Sequence, residues 1–124
     1  MLNEKLRNNL LLVLEHIHEA LSYFTEIETP EDFVATKQGK AYYDAILMRL
    51  QVTGELLKKS YVGNEPVFKP HTEIAWNEII RMRDLISHHY DKLQHEVVFD
   101  LCENELPKLK EALGKIVGDG NINA

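Results

Sequence analysis

A single cysteine in 124 residues, Cys102, has no partner for an internal disulfide. Such a chain suits a reducing compartment, and Cys102 reads as a small apolar residue packed within a helix. The lone thiol also removes cysteine-based metal sites. The six histidines contain neither an H-x3-H nor an H-E-x-x-H spacing, so neither a metal ligand set nor a cofactor is expected. No apolar run approaches the roughly 18 residues that a membrane span needs. The opening Met1-Leu2-Asn3-Glu4-Lys5 lacks a signal-peptide pattern. A cytoplasmic protein with no membrane contact is therefore expected. Positive charge is short as well: 14 Lys and Arg stand against 20 Asp and Glu, a net charge of -6. That balance counts against an extended surface for phosphate backbones and leaves room for a small local site.

Sustained period-two alternation, internal repeats and low-complexity tracts are also lacking. What remains is helical periodicity. Between Asn3 and Glu26, apolar residues fall at Leu6, Leu10, Val13, Ile17, Ala20 and Phe24, one stripe of an amphipathic helix. His16 and His18 sit within it on opposite sides and read as surface residues. Thr29-Pro30-Glu31-Asp32 reads as a helix start with Thr29 as the cap. A second long helix is expected over Lys37–Ser60, with Tyr42, Ala45, Ile46, Leu50, Val52, Thr53, Leu56 and Leu57 as its apolar set. Gly54 inside it costs about 1 kcal/mol relative to alanine, which close approach of a neighbouring helix would repay.

Gly63 to Pro70 is a loop by composition, and a third helix begins between Thr72 and Trp76. A fourth, from about His95 to Val117, carries Val97, Val98, Leu101, Leu106, Leu109, Leu113 and Ile116 inward, with Pro107 kinking or dividing it. The expectation is an all-α, up-and-down bundle of four to five helices. It forms one domain over residues 1–117, with a flexible tail over 118–124.

Chemically capable side chains crowd only at Arg83-Asp84-Leu85-Ile86-Ser87-His88-His89-Tyr90. At about 100° per residue, Arg83, Ser87 and Tyr90 share one helix face, while Asp84 and His88 share an adjacent one. His89 points about 100° away from His88 and is left out of the site. An imidazole takes and gives protons near neutrality, and a guanidinium stabilises charge building on a phosphoryl oxygen. Arg83 and His88 are thus compatible with metal-independent RNA cleavage, in which His88 removes the ribose 2′-OH proton and Arg83 holds the phosphorane. Asp84 would orient either partner, and Tyr90 would hydrogen-bond a phosphate. The angular gap between Arg83 and His88 is closed either by the long arginine side chain or by a second copy of the chain.

The R-x4-H-x-Y pattern resembles the signature of the HEPN superfamily, specifically its HepT-like toxins. Trp76 upstream, the Gln51-x-x-Gly54-Glu55 segment, Leu106-Pro107-Lys108-Leu109 and the helix order strengthen the resemblance. It implies a dimeric helical bundle that cleaves RNA, leaving a 2′,3′-cyclic phosphate, as the toxin of a type VII-like toxin–antitoxin pair. Arg83 and His88 become the catalytic residues, with Asp84 and Tyr90 supporting them. The implied antitoxin is a minimal nucleotidyltransferase, which neutralises the toxin and can transfer AMP to Tyr90. Asp84 stands where asparagine is commoner.

Blander readings stand beside these. Arg83 can be a surface ion pair, worth about 0–1 kcal/mol, His88 structural, Tyr90 a bundle-edge aromatic and Glu55 a solvated carboxylate. The acidic net charge favours a second function, a non-catalytic helical subunit that binds a nucleotidyltransferase and presents a substrate to it. Intact Arg83, His88 and Tyr90 favour the nuclease.

Overall fold

A computed structural model describes residues 2–122, with side chains through residue 118. It is an all-α bundle, and no strand occurs among the described residues. Helix α1 spans Glu4–Phe24, and the Asn3 carboxamide oxygen accepts from the Leu6 N–H at 2.7 Å. That bond satisfies one of the donors left open at a helix start. Leu6, Leu10, Val13, Ile17 and Ala20 are buried, which is the expected stripe.

The one-turn helix α2, Asp32–Ala35, buries Phe33. Its start differs from the Thr29 cap expected. The Asp32 carboxylate accepts from the backbone N–H groups of Glu28 at 2.8 Å and Thr29 at 3.0 Å. Those two bonds, Glu28 first, hold its pKa below the ordinary carboxylate value. Asp32 is the reciprocal half of a capping box, and the α-helix runs from Asp32, although Glu31 before it already has helical dihedrals, φ -66° and ψ -23°.

Helix α3, Lys37–Tyr61, is capped by the Thr36 hydroxyl, which accepts from the Gly39 N–H at 2.9 Å. Its inward residues are Tyr43, Ile46, Leu47, Leu50, Thr53 and Leu57. The stripe is therefore rotated from the expected set: Tyr43 is buried, and Tyr42 is half-buried beside Tyr23. A short helix α4, Glu65–Phe68, buries Phe68 completely. Helix α5, Trp76–His89, begins at Ala75, which offers no capping side chain. The Trp76 indole anchors this end instead, donating to the carbonyls of Phe68 at 3.1 Å and His71 at 3.2 Å.

After a 3₁₀ turn over Tyr90–Lys92, helix α6 covers His95–Asp100 and helix α7 covers Leu106–Ile122. Between them Leu101–Glu105 forms a π turn, closed by the Leu106 N–H on the Leu101 carbonyl. Pro107 explains this division, because a proline lacks the N–H and its ring crowds the carbonyl four residues back. The π turn widens the helix there and leaves Pro107 in the first turn of α7, where it is tolerated. Leu106, Leu109, Leu113 and Ile116 are buried as expected, but Val97 is 53% exposed. The expected tail over 118–124 begins inside α7, whose backbone continues through Ile122, while residues 123–124 lie outside the described residues.

Helix α1 packs most extensively on α3, α3 next on α5, and α1 on α7. In space the order is α7, α1, α3, α5, which leaves α5 at an edge with most of its surface uncovered. Cys102 is buried in the single core, and desolvation pushes its thiol up to about 12. Among the described residues no helix is long and apolar enough to cross a membrane.

Two glycines contrast usefully. A Cβ on Gly39 would sit 1.8 Å from the Asp32 carbonyl oxygen, whereas one on Gly114 would meet nothing within 4 Å. Gly39→Ala must push α2 aside, an overpacking cost of about 1–3 kcal/mol. Gly114→Ala gains helix propensity and stabilises by about 0.5–1 kcal/mol. Thermal unfolding of the two variants should therefore shift in opposite directions.

Candidate active site

The site begins with a missing side chain. At Gly54 the backbones of α3 and α5 come together: a Cβ there would lie 3.1 Å from both the Cβ and the N of Arg83, and 3.3 Å from the Ile80 carbonyl oxygen. That approach aligns the edges of the two helices: two polar pairs cross between them, and a third ties α3 to Tyr90 just beyond α5. Glu55 Oε2 meets Arg83 Nε at 3.0 Å. The Gln51 amide donates to the Ser87 hydroxyl at 2.8 Å. The Tyr90 hydroxyl donates to the Asp44 carboxylate. Numbers fall on α3 as they rise on α5, so the helices run antiparallel, and Asp44, Gln51 and Glu55 recur at steps that keep one helix face.

Arg83, Ser87 and Tyr90 therefore share a face, as the periodicity predicted. Tyr90 joins it by a different route, because α5 ends at His89, whose φ of -135° and ψ of 29° turn the chain into the 3₁₀ segment. The hydrogen bond to Asp44, with lesser help from desolvation and from the charge of Asp44, pushes the Tyr90 phenol up to about 12.

The other capable face of α5 looks onto a groove of about 620 Å³. Asp84, Leu85, His88 and His89 line one wall, Leu47 and Leu50 the floor, and Val97, Val98 and Leu101 the far side. Inward residues of α5, namely Trp76, Ile79, Met82 and Ile86, are buried, so the apolar set fixes the helix while the polar set is displayed. His88 makes no hydrogen bond or ion pair among the described residues, which leaves both ring nitrogens open to a ligand. His89, set aside on angular grounds, lines the same groove because the helix unwinds at that residue and the groove is broad.

Arg83 is not in the groove lining. Its ion pairs run to Glu55 and, through Nη1 at 3.2 Å, to Asp84. Asp84 is thus the residue common to both halves: it touches Arg83 and lines the groove beside His88. Sequence reasoning placed Arg83, Asp84 and His88 on the correct faces of α5, and Tyr90 on the side of Arg83 though it lies just beyond the helix, but missed the partners Asp44 and Glu55. The signal available was the i, i+7, i+11 spacing of Asp44, Gln51 and Glu55. No group of three or more His, Cys, Asp or Glu side chains placed to hold a metal ion occurs among the described residues.

Comparison with known proteins adds to this geometry. A model of the family described as Ribonuclease HepT-like matches residues 13–116. A protein of Thermococcus cleftensis named "Probable ribonuclease HepT" is 32% identical over 107 residues, covering 83% of this chain and 91% of its own. A protein of Methanocaldococcus jannaschii named "Gamma-glutamylcyclotransferase and putative RNase" is 27% identical over 123 residues. That alignment takes in 95% of this chain, which spans only 52% of that relative's length. No solved structure matches the chain at a significant level.

The Tyr90–Asp44 bond is open to titration. Its raised pKa means that the fold favours the neutral phenol. The stabilisation is therefore complete below the ordinary phenol value of about 10 and is lost as pH rises towards about 12. In ultraviolet titration, the tyrosine signal that Tyr90→Phe removes should titrate near 12 in the parent. Asp44→Asn should bring it back towards about 10. A signal already at the ordinary value in the parent would mean the bond is not formed in solution.

Proposed function

Since the chain belongs to the Ribonuclease HepT-like family, we propose that it is a metal-independent endoribonuclease with Arg83 and His88 at its catalytic centre. One observation carries the reading: the family match embraces an intact R-x4-H-x-Y stretch, with Arg83 and His88 on the edge helix α5 and Tyr90 just beyond its end. His88 takes the proton from a ribose 2′-OH, and the freed oxygen attacks the adjacent phosphorus. Arg83 stabilises the charge on the phosphorane. The bond from phosphorus to the 5′ oxygen breaks, the leaving oxygen takes up a proton, and the products carry a 2′,3′-cyclic phosphate and a 5′-OH. Asp84 supports the site from between Arg83 and the groove, holding the free guanidinium until a phosphate takes its place, and Tyr90 hydrogen-bonds a neighbouring phosphate by exchanging its single O–H from Asp44.

The separate faces of Arg83 and His88 suit a homodimer, in which one protomer supplies the arginine and its partner the histidine. Leu85 and Val97, 43% and 53% exposed at the groove, give such an interface apolar surface to bury. The protein acts as a cytoplasmic toxin, neutralised by a minimal nucleotidyltransferase of a type VII-like pair. AMP added to the Tyr90 hydroxyl would replace its bond to Asp44 and set bulk and negative charge where an RNA phosphate binds. The net charge of -6 favours the second reading, a non-catalytic partner subunit of the nucleotidyltransferase.

Cleavage of a broad RNA pool in EDTA separates the two. Parent protein should cut and leave cyclic phosphate ends, while His88→Ala and Arg83→Ala should each lose about 10²- to 10⁴-fold in rate. No cleavage by folded, unmodified parent overturns the nuclease in favour of the partner subunit. Cleavage that survives in both variants puts the site elsewhere.

A further inference from the structure

Two carboxylates hold the Arg83 guanidinium, and they hold it differently. Glu55 reaches Nε, the donor nearest the side-chain stem, from α3 at 3.0 Å. Asp84 reaches Nη1 at 3.2 Å from the next position on α5 itself, and its side chain is 58% exposed. A guanidinium has five N–H donors, one on Nε and four on the outer nitrogens. With Nε taken by Glu55 and one Nη1 donor by Asp84, the remaining donors all lie on the outer Nη1 and Nη2 fork. That fork is the edge that pairs with two phosphate oxygens at once.

The stem is fixed by the same helix. Arg83 Cβ lies over Gly54, where a Cβ would approach it to 3.1 Å, so both ends of the arginine are referenced to adjacent residues of α3. Lys59 stands 3.9 Å from Glu55 and offsets the charge that Glu55 would otherwise present to an anion.

We propose that Glu55 is a positioning residue for RNA cleavage: by binding Nε it turns the Nη1/Nη2 fork of Arg83 outward to the scissile phosphate, and Asp84 is the carboxylate that this phosphate displaces. The inference rests on the nuclease reading above, in which Arg83 contacts the phosphate. It assigns opposite roles to two carboxylates on one guanidinium. Removing Glu55 frees the arginine to sample orientations in which the fork is misplaced, which costs turnover. Removing the charge of Asp84 takes away a competitor of the phosphate, which strengthens RNA binding.

The test is steady-state cleavage of an oligoribonucleotide by the full chain, with thermal unfolding followed in parallel. Glu55→Ala should lower kcat by about tenfold to a hundredfold, the scale set by a misplaced group. KM should change by less than about threefold, with the unfolding midpoint close to that of the parent. Glu55→Gln should recover most of the loss, because its amide oxygen still accepts from Nε–H. In an Arg83→Lys background, Glu55→Ala should cost nothing further, since lysine has no Nε–H for Glu55 to hold. Asp84→Asn should lower KM.

Parent-like turnover in Glu55→Ala overturns the proposal, as does an equal loss in the Arg83→Lys background or a rise in KM for Asp84→Asn. A parent that cuts no RNA instead overturns the nuclease reading. In that event the Arg83 Nε–H signal in nuclear magnetic resonance tests the contact by itself: slow solvent exchange that quickens in Glu55→Ala would show that Glu55 still orients the guanidinium, and fast exchange in the parent would show that it does not.

Discussion

Where α5 crosses α3, no side chain separates the two backbones. Gly54 leaves the α3 surface open just where Arg83 and Ile80 arrive, and the edges of the two helices come within reach of short polar groups. The pairs Glu55–Arg83, Gln51–Ser87 and Asp44–Tyr90 follow from that one close approach. A larger residue at position 54 would move the far helix as a body, because the atoms it meets are backbone and Cβ rather than the flexible end of a chain. The roughly 1 kcal/mol that a glycine costs mid-helix is thus offset in alignment of the outer face of α5.

Charge is arranged locally against the overall balance. The chain is acidic, and its central arginine is already matched by Glu55 and Asp84 before any anion arrives. The side chain is nonetheless 41% exposed, so water screens these pairs and each is weak enough to be exchanged. His88 has the opposite setting, with no partner among the described residues and a largely apolar groove beside it. One group is held and the other is left open, and they occupy different faces of the same two turns of helix.

Much of this was legible from periodicity. The buried residues of α1 are those the three- and four-residue steps predict, and the division of the last helix follows from Pro107. The faces of Arg83, Asp84 and His88 follow from about 100° per residue. What periodicity does not carry is the rotation of one helix about its axis against another. Tyr43 is buried in place of Tyr42, and Val97 is exposed, because neighbouring elements decide which flank of a broad apolar stripe is covered. Asp44 and Glu55 are recognisable as partners only once α3 and α5 are known to run antiparallel in a particular register. The Asp32 cap was half legible: its spacing from Thr29 was read, but the carboxylate and not the hydroxyl closes the turn.

The π turn at Leu101–Glu105 places one extra residue in what would otherwise be a continuous helix. One residue is worth about 100° of rotation, so the turn acts as a phase shifter between α6 and α7. α7 aims Leu106, Leu109 and Leu113 into the core, while α6 carries Val97 out to the groove wall. α6 thus meets two constraints at once, with Val98 packed in the core and Val97 on the groove wall. Shortening the turn by a single residue would bring the two helices back into one phase and rotate Val97 away from His88 and Val98 out of its core position, altering the groove and the α6 side of the core together.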